Sequence, residues 1–176
     1  MIWRVWADGQ LEVSDALMPC SLGRTGVAEV ASKREGDGST PAGLWPLRWL
    51  YYRGDRVSHP QTRLPTRALE PTDGWCDEPA DPNYNRLVGW PYPASAEHLW
   101  REDNVYDLIV VLGFNDDPVV AGAGSAIFLH LWRTESSSTE GCVAISKANM
   151  TSFLRHVGPG DALLVTPAVR RGPQIG

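Results

Sequence analysis

The run from His130 to Cys142, HLWRTESSSTEGC, places an imidazole twelve residues before a thiol that directly follows a glycine. A thiol is a weak nucleophile until it loses its proton, and a neighbouring histidine is the common base for that step. A glycine before the nucleophile, here Gly141, lets the chain turn tightly enough for N–H groups to face a developing oxyanion. These residue types suit cysteine-dependent acyl transfer. Each member alone has a plainer reading. A free cysteine is ordinarily a small buried hydrophobe, and a histidine inside IFLHLW is ordinarily a satisfied core side chain. The pair says more. IFLHLW reads as a strand, SSSTEGC as a polar loop and VAI as a return strand, which would bring the two side chains within hydrogen-bond reach.

The elements around this pair read as mostly strand. Ile2 to Trp6 and Gln10 to Val13 form two strands joined at Asp8-Gly9, a hairpin signal. Val27 to Ser32 continues the strand pattern, and Lys33 to Gly43 is a polar, Gly-rich turn region. Leu44 to Tyr52 is aromatic and strand-like, with Pro46 marking an edge or an interruption. Residues 53 to 104 have weak periodicity and many Pro, Asp, Asn, Trp and Arg, which predicts a functional loop or lid. Tyr106 to Leu112 predicts a central strand. One helix is expected after Cys142: Ser146 is the N-cap, Met150, Phe153, Leu154 and Val157 repeat at helical spacing, and Gly158-Pro159 is the stop. Ala162 to Thr166 closes the chain with a strand. With no repeat and no linker, residues 1–176 read as a single, mainly β domain.

A length of 176 residues can bury roughly two-thirds of its unfolded surface in one core. Seventeen Gly and fourteen Pro mean frequent turns and few long helices. The net charge of −5, with no basic stripe, argues against nucleic acid as a partner. No run reaches the roughly 18 apolar residues of a membrane span, so no membrane insertion is expected. Three cysteines, Cys20, Cys76 and Cys142, make no disulfide framework, and the first residues lack a signal-peptide core. Both point to the cytoplasm; a natural chain beginning further upstream would place the protein in the periplasm. His59, His98, His130 and His156 show no metal-ligand spacing with one another or with the cysteines, so neither a metal nor a cofactor is expected. The tryptophans Trp3, Trp6, Trp45 and Trp49 fall in strand-like stretches and are expected in the core rather than on a sugar-stacking surface.

Three stretches together resemble the L,D-transpeptidase catalytic domain family (YkuD-like): EGDGSTPAG at 35–43, GSAIFLH at 124–130 and TEGCV at 139–143. The resemblance implies a β-sandwich or barrel-like fold whose Cys and His face an open cleft. It also implies a reaction on peptidoglycan stem peptides or soluble muropeptides. Cys142 would attack the amide joining the L-centre of a diamino acid to D-alanine, and a thioester would replace the departing D-alanine. Transfer to an amine gives a cross-link; transfer to water is L,D-carboxypeptidase trimming to a tripeptide. On this reading His130 is base then acid, and the N–H groups of Gly141 and Cys142 form the oxyanion hole. Thr139 braces the loop or meets substrate. Many members carry Arg or Asn two positions after the Cys, where this chain has Ala144, so Arg133 is a candidate to hold a substrate carboxylate. Asn85 and Arg86, in the long loop, are further candidates for substrate contact. A non-catalytic wall-fragment binder is the competing class, and retention of both His130 and Cys142 speaks against it. Oligomeric state is not legible.

Overall fold

The computed structural model describes residues 1–13, 16–135 and 137–170. Ser136 of the polar loop and residues 171–176 of the expected domain lie outside them. The chain is mainly β, and α1 (Lys147–Leu154) is the one α-helix among the described residues. The strands are β1 (Ile2–Trp6), β2 (Gln10–Val13), β3 (Ala16–Pro19), β4 (Val27–Ala28), β5 (Thr40–Pro41), β6 (Gly43–Tyr52) and β7 (Thr66–Ala68). They continue as β8 (Asp73–Cys76), β9 (Leu87–Gly89), β10 (Ala96–His98), β11 (Leu108–Leu112), β12 (Phe128–Leu131), β13 (Val143–Ile145) and β14 (Ala162–Thr166).

The large sheet runs β13-β12-β11-β6-β14-β1-β2-β3, with β7 paired beside β6. Its two ends meet. Just past β3, Ser21 donates to the Ala144 carbonyl at 2.7 Å and accepts from the Ala144 N–H at 2.9 Å. Main-chain bonds therefore bend the sheet into a nearly closed barrel, the economical way to leave few open edges. The interior holds Trp3, Val5, Leu11, Val110, Leu129 and Leu163 among others, and α1 adds Met150, Phe153 and Leu154 to it. The expected cap is present: Ser146 Oγ accepts from Asn149 N–H at 3.1 Å.

Period-two alternation decides which side chains leave this core. Along β12, Leu129 and Leu131 point inward, so Phe128 and His130 point out; across β13, Val143 and Ile145 point inward, so Cys142 and Ala144 point out. The outer face is not left to water. The 53–104 stretch folds a three-stranded sheet, β10-β8-β9, whose Trp75, with Leu99 just past β10, packs with Tyr106, Ile109, Phe128 and Cys142 in a second core. Arg67 clamps Asp73 bidentately at 2.9 Å, and Arg53 lies 3.7 Å over the Trp100 ring.

Three local expectations are corrected. Val27 to Ser32 is not one strand: β4 spans two residues and a 3₁₀ turn follows at Val30–Ser32. Pro46 does not mark an edge, because β6 lies inside the sheet between β11 and β14. The interruption survives as a register shift opposite Val110 and Leu112, beside the proline that has no N–H to give. Trp3 is buried as expected, Trp6 and Trp45 are half-buried, and Trp49 is 47% exposed.

Candidate active site

Cys142 and His130 reach one cleft of about 700 Å³ because their strands are parallel neighbours. The register sets His130 beside Ala144, so Cys142 lies one same-face step behind it. The insert lines the cleft with Asp77, Glu97 and Arg101, and the 33–36 turn with Lys33 and Glu35.

The sulfur is held by main chain. Phe128 N–H donates to Cys142 Sγ at 3.3 Å, and the thiol donates to the Ala126 carbonyl at 3.1 Å. No hydrogen bond joins Cys142 to His130 among the described residues, which corrects the expected direct contact. The imidazole is oriented by its own strand: Nδ1 lies 2.8 Å from the Leu131 carbonyl. A carbonyl only accepts, so Nδ1 carries the proton and Nε2 keeps the lone pair. Tyr106 packs edge-on against the His130 ring at 5.3 Å and donates its hydroxyl to Glu97 at 2.6 Å.

Burial leaves both groups uncharged at rest. Burial and then the Glu97 carboxylate push the Cys142 thiol up to about 12, against the pull of the Phe128 N–H. Burial lowers His130 from 6.5 to about 4, although the Leu131 carbonyl favours its cation. The resting site is thus a thiol beside a neutral imidazole. A folding consequence follows from the sign. Below pH 6.5 the unfolded histidine takes up a proton that the folded one refuses, so its contribution to stability is full above 6.5 and gone below about 4. That loss is worth about 3 kcal/mol. Urea unfolding of wild type and His130→Gln at the two ends of this window should show a smaller acid loss in the variant; equal losses would refute the buried neutral imidazole.

The loop that carries Cys142 is braced from two sides. Thr139 Oγ donates to the Cys142 carbonyl at 2.7 Å and accepts from Gly141 N–H at 3.1 Å. Thr40 Oγ accepts from Gly23 N–H at 2.8 Å and reaches the same Cys142 carbonyl at 3.4 Å. Gly141 holds φ +141°, and a Cβ there would meet the Ser39 carbonyl at 2.8 Å. The 35–43 turn therefore packs on the Gly141-Cys142 corner. Asp37 organises that turn, accepting from the Arg34 N–H at 2.8 Å and from the Ser39 N–H and hydroxyl at 2.8 Å, as well as from Lys33.

The other sequence-derived candidates separate. Arg133 lines the cleft, with its side chain 64% exposed and one bond to Asp103 at 2.8 Å. The Thr139 hydroxyl is occupied within the loop rather than turned to a substrate. The Gly141 N–H is taken by that hydroxyl, so of the two expected oxyanion donors only the Cys142 N–H has no hydrogen-bond partner among the described residues. Asn85 is buried and Arg86 lines other surface depressions; neither lines this cleft. Glu97, Tyr106 and Lys33 were not singled out by sequence. Glu97 lies in a stretch without periodicity, and Tyr106 reads simply as the start of a strand.

A sequence model of the L,D-transpeptidase catalytic domain (YkuD) matches residues 1–167, nearly the whole chain. The chain belongs to this family. Among curated proteins, none matches the sequence. Of solved structures, the L,D-transpeptidase from Mycobacterium smegmatis aligns with a TM-score of 0.44 at 14% identity over 94% of this chain and 58% of that one. L,D-transpeptidase 3 from Mycobacterium tuberculosis, in complex with a faropenem-derived adduct, aligns at 0.47 and 15% identity over 94% and 59%. L,D-transpeptidase 1 from the same organism aligns at 0.43 and 16% over 94% and 58%. This L,D-transpeptidase-family chain thus spans less than two-thirds of the length of those structures.

Proposed function

We propose that this protein transfers an acyl group from a peptidoglycan stem peptide through a thioester on Cys142, releasing D-alanine. The observation that carries the reading is the placement of Cys142 and His130 on one face of adjacent parallel strands, opening into one cleft. Substrate turns the S–H from the Ala126 carbonyl toward His130 Nε2. The sulfur attacks the carbonyl between the diamino acid and D-alanine while Nε2 takes the thiol proton. The Cys142 N–H supports the oxyanion, a contribution typically worth about 3 kcal/mol. His130 then returns the proton to the departing D-alanine nitrogen, and the thioester remains. An acceptor amine, deprotonated by His130, attacks the thioester and regenerates the thiol. Arg133, which lines the cleft and bonds Asp103, holds a substrate carboxylate on this reading.

Mass spectrometry of protein incubated with a stem tetrapeptide, with and without excess acceptor amine, tests this. Wild type should lose D-alanine from the peptide, and Cys142→Ala should not. An amine-exchanged or cross-linked product identifies transpeptidation, whereas tripeptide formed regardless of amine identifies L,D-carboxypeptidase activity on soluble muropeptides. No thiol-dependent change would leave a wall-fragment binder.

A further inference from the structure

Among the described residues, three that are not glycine hold a positive φ: Asn85 at 57°, Asn115 at 48° and Ala126 at 53°. All three meet at one side chain. Asn85 Oδ1 accepts from the Ala126 N–H at 3.0 Å, and Nδ2 donates to the Asn115 carbonyl at 2.8 Å. Its other two bonds, from the Trp75 indole at 3.0 Å and to the Phe114 carbonyl at 3.0 Å, complete a buried amide. A left-handed alanine costs at least about 1 kcal/mol, so it persists only where its surroundings hold it. At the far end of this linkage lies the sulfur, cradled between the Ala126 carbonyl and the Phe128 N–H.

We infer that Asn85 is a positioning residue for the nucleophile: by holding Ala126 left-handed, it aims the carbonyl that receives the Cys142 S–H and so places the sulfur in the cleft. This rests on the reading of Cys142 as nucleophile. Asn85 does not line the cleft, so it acts through Ala126 rather than on substrate. Its loss frees the S–H from its acceptor while the Phe128 N–H still donates to the sulfur. That balance favours thiolate, and the aim is lost with the same change.

The test compares Asn85→Ala with Asn115→Ala, which loosens the adjoining turn at Val120 and Gly124 without removing the Ala126 anchor. Iodoacetamide modification of Cys142, resolved from Cys20 and Cys76 by peptide mass spectrometry, is followed against pH together with kcat and KM for D-alanine release. Asn85→Ala should alkylate about fivefold faster at neutral pH. Its kcat should fall about tenfold, with KM within about twofold of wild type. Asn115→Ala should lower the melting temperature alone. Ala126→Val should reproduce the Asn85→Ala pair of changes, since a β-branched residue does not hold that φ, and it decides the matter if Asn85→Ala fails to fold. Wild-type alkylation and kcat per folded molecule in Ala126→Val and in any folded Asn85→Ala would overturn the inference, as would equal changes in Asn115→Ala. Alkylation reads the sulfur whatever the substrate, so a wild type that releases no D-alanine would defeat the proposed reaction and leave this comparison to decide the role of Asn85.

Discussion

Cys142→Ala is expected to bring D-alanine release below detection, and His130→Ala to lower it by about a thousandfold or more. The two act as one unit, so the double variant should be no worse than Cys142→Ala alone. The physical reason is the uncharged resting pair. With the thiol raised by burial to about 12, almost no thiolate exists at neutral pH without a base in the cleft. Once His130 is gone, no other imidazole lines the cleft among the described residues. Both side chains border the cleft but are buried, Cys142 within the second core, so each change should cost about 2 kcal/mol of stability. Activity per folded molecule, with urea unfolding as the companion measurement, separates chemistry from folding. Substantial turnover in Cys142→Ala would sink the covalent route.

Gly141→Ala is expected to lower stability by about 3 kcal/mol and activity with it. Two costs combine. The backbone at φ +141° lies where side chains are rarely tolerated, and the added carbon would sit 2.8 Å from the Ser39 carbonyl oxygen. That oxygen belongs to main chain within the Asp37-organised turn, so it cannot swing aside as the end of a flexible side chain would. Relief requires the Gly141-Cys142 corner to move off the 35–43 turn, shifting the sulfur. Gly122→Ala is the natural control, because its added carbon would meet nothing within 4 Å although its φ of +75° is also positive. It should show the backbone cost alone and keep turnover per folded molecule. Thermal melting and D-alanine release measured on both variants check this; equal effects would mean that packing against Ser39 is unimportant.

Much of the barrel was legible because its signals are local. The β1–β2 hairpin, β11, β12, β13, the Ser146-capped start of α1 and β14 stand where alternation and caps predicted them, while α1 ends at Leu154, before Val157 and the Gly158-Pro159 stop. The 53–104 stretch was not, since β8, β9 and β10 are three or four residues each and owe their pairing to contacts with Tyr106 and Phe128, distant in sequence. The same distance explains Asn85. Beside Tyr84 and Arg86 it looks like a polar loop residue, and only the fold shows its amide filled by four partners, three of them some thirty to forty positions away.

The sequence alone determined the residue types and the parity of the candidate site. His130 alternates with Leu129 and Leu131, and Cys142 precedes Val143, so each was bound to leave the core on the face opposite its apolar neighbours. It also determined the family, through three short motifs whose chemistry survives in linear order. What surrounds those side chains was decided only by tertiary structure. Burial and then the Glu97 carboxylate hold the thiol uncharged, burial holds the imidazole neutral, and the Ala126 carbonyl, not His130, accepts the thiol's hydrogen bond at rest. Both facts depend on long-range pairing and burial, which act through space and leave no periodic trace along the chain.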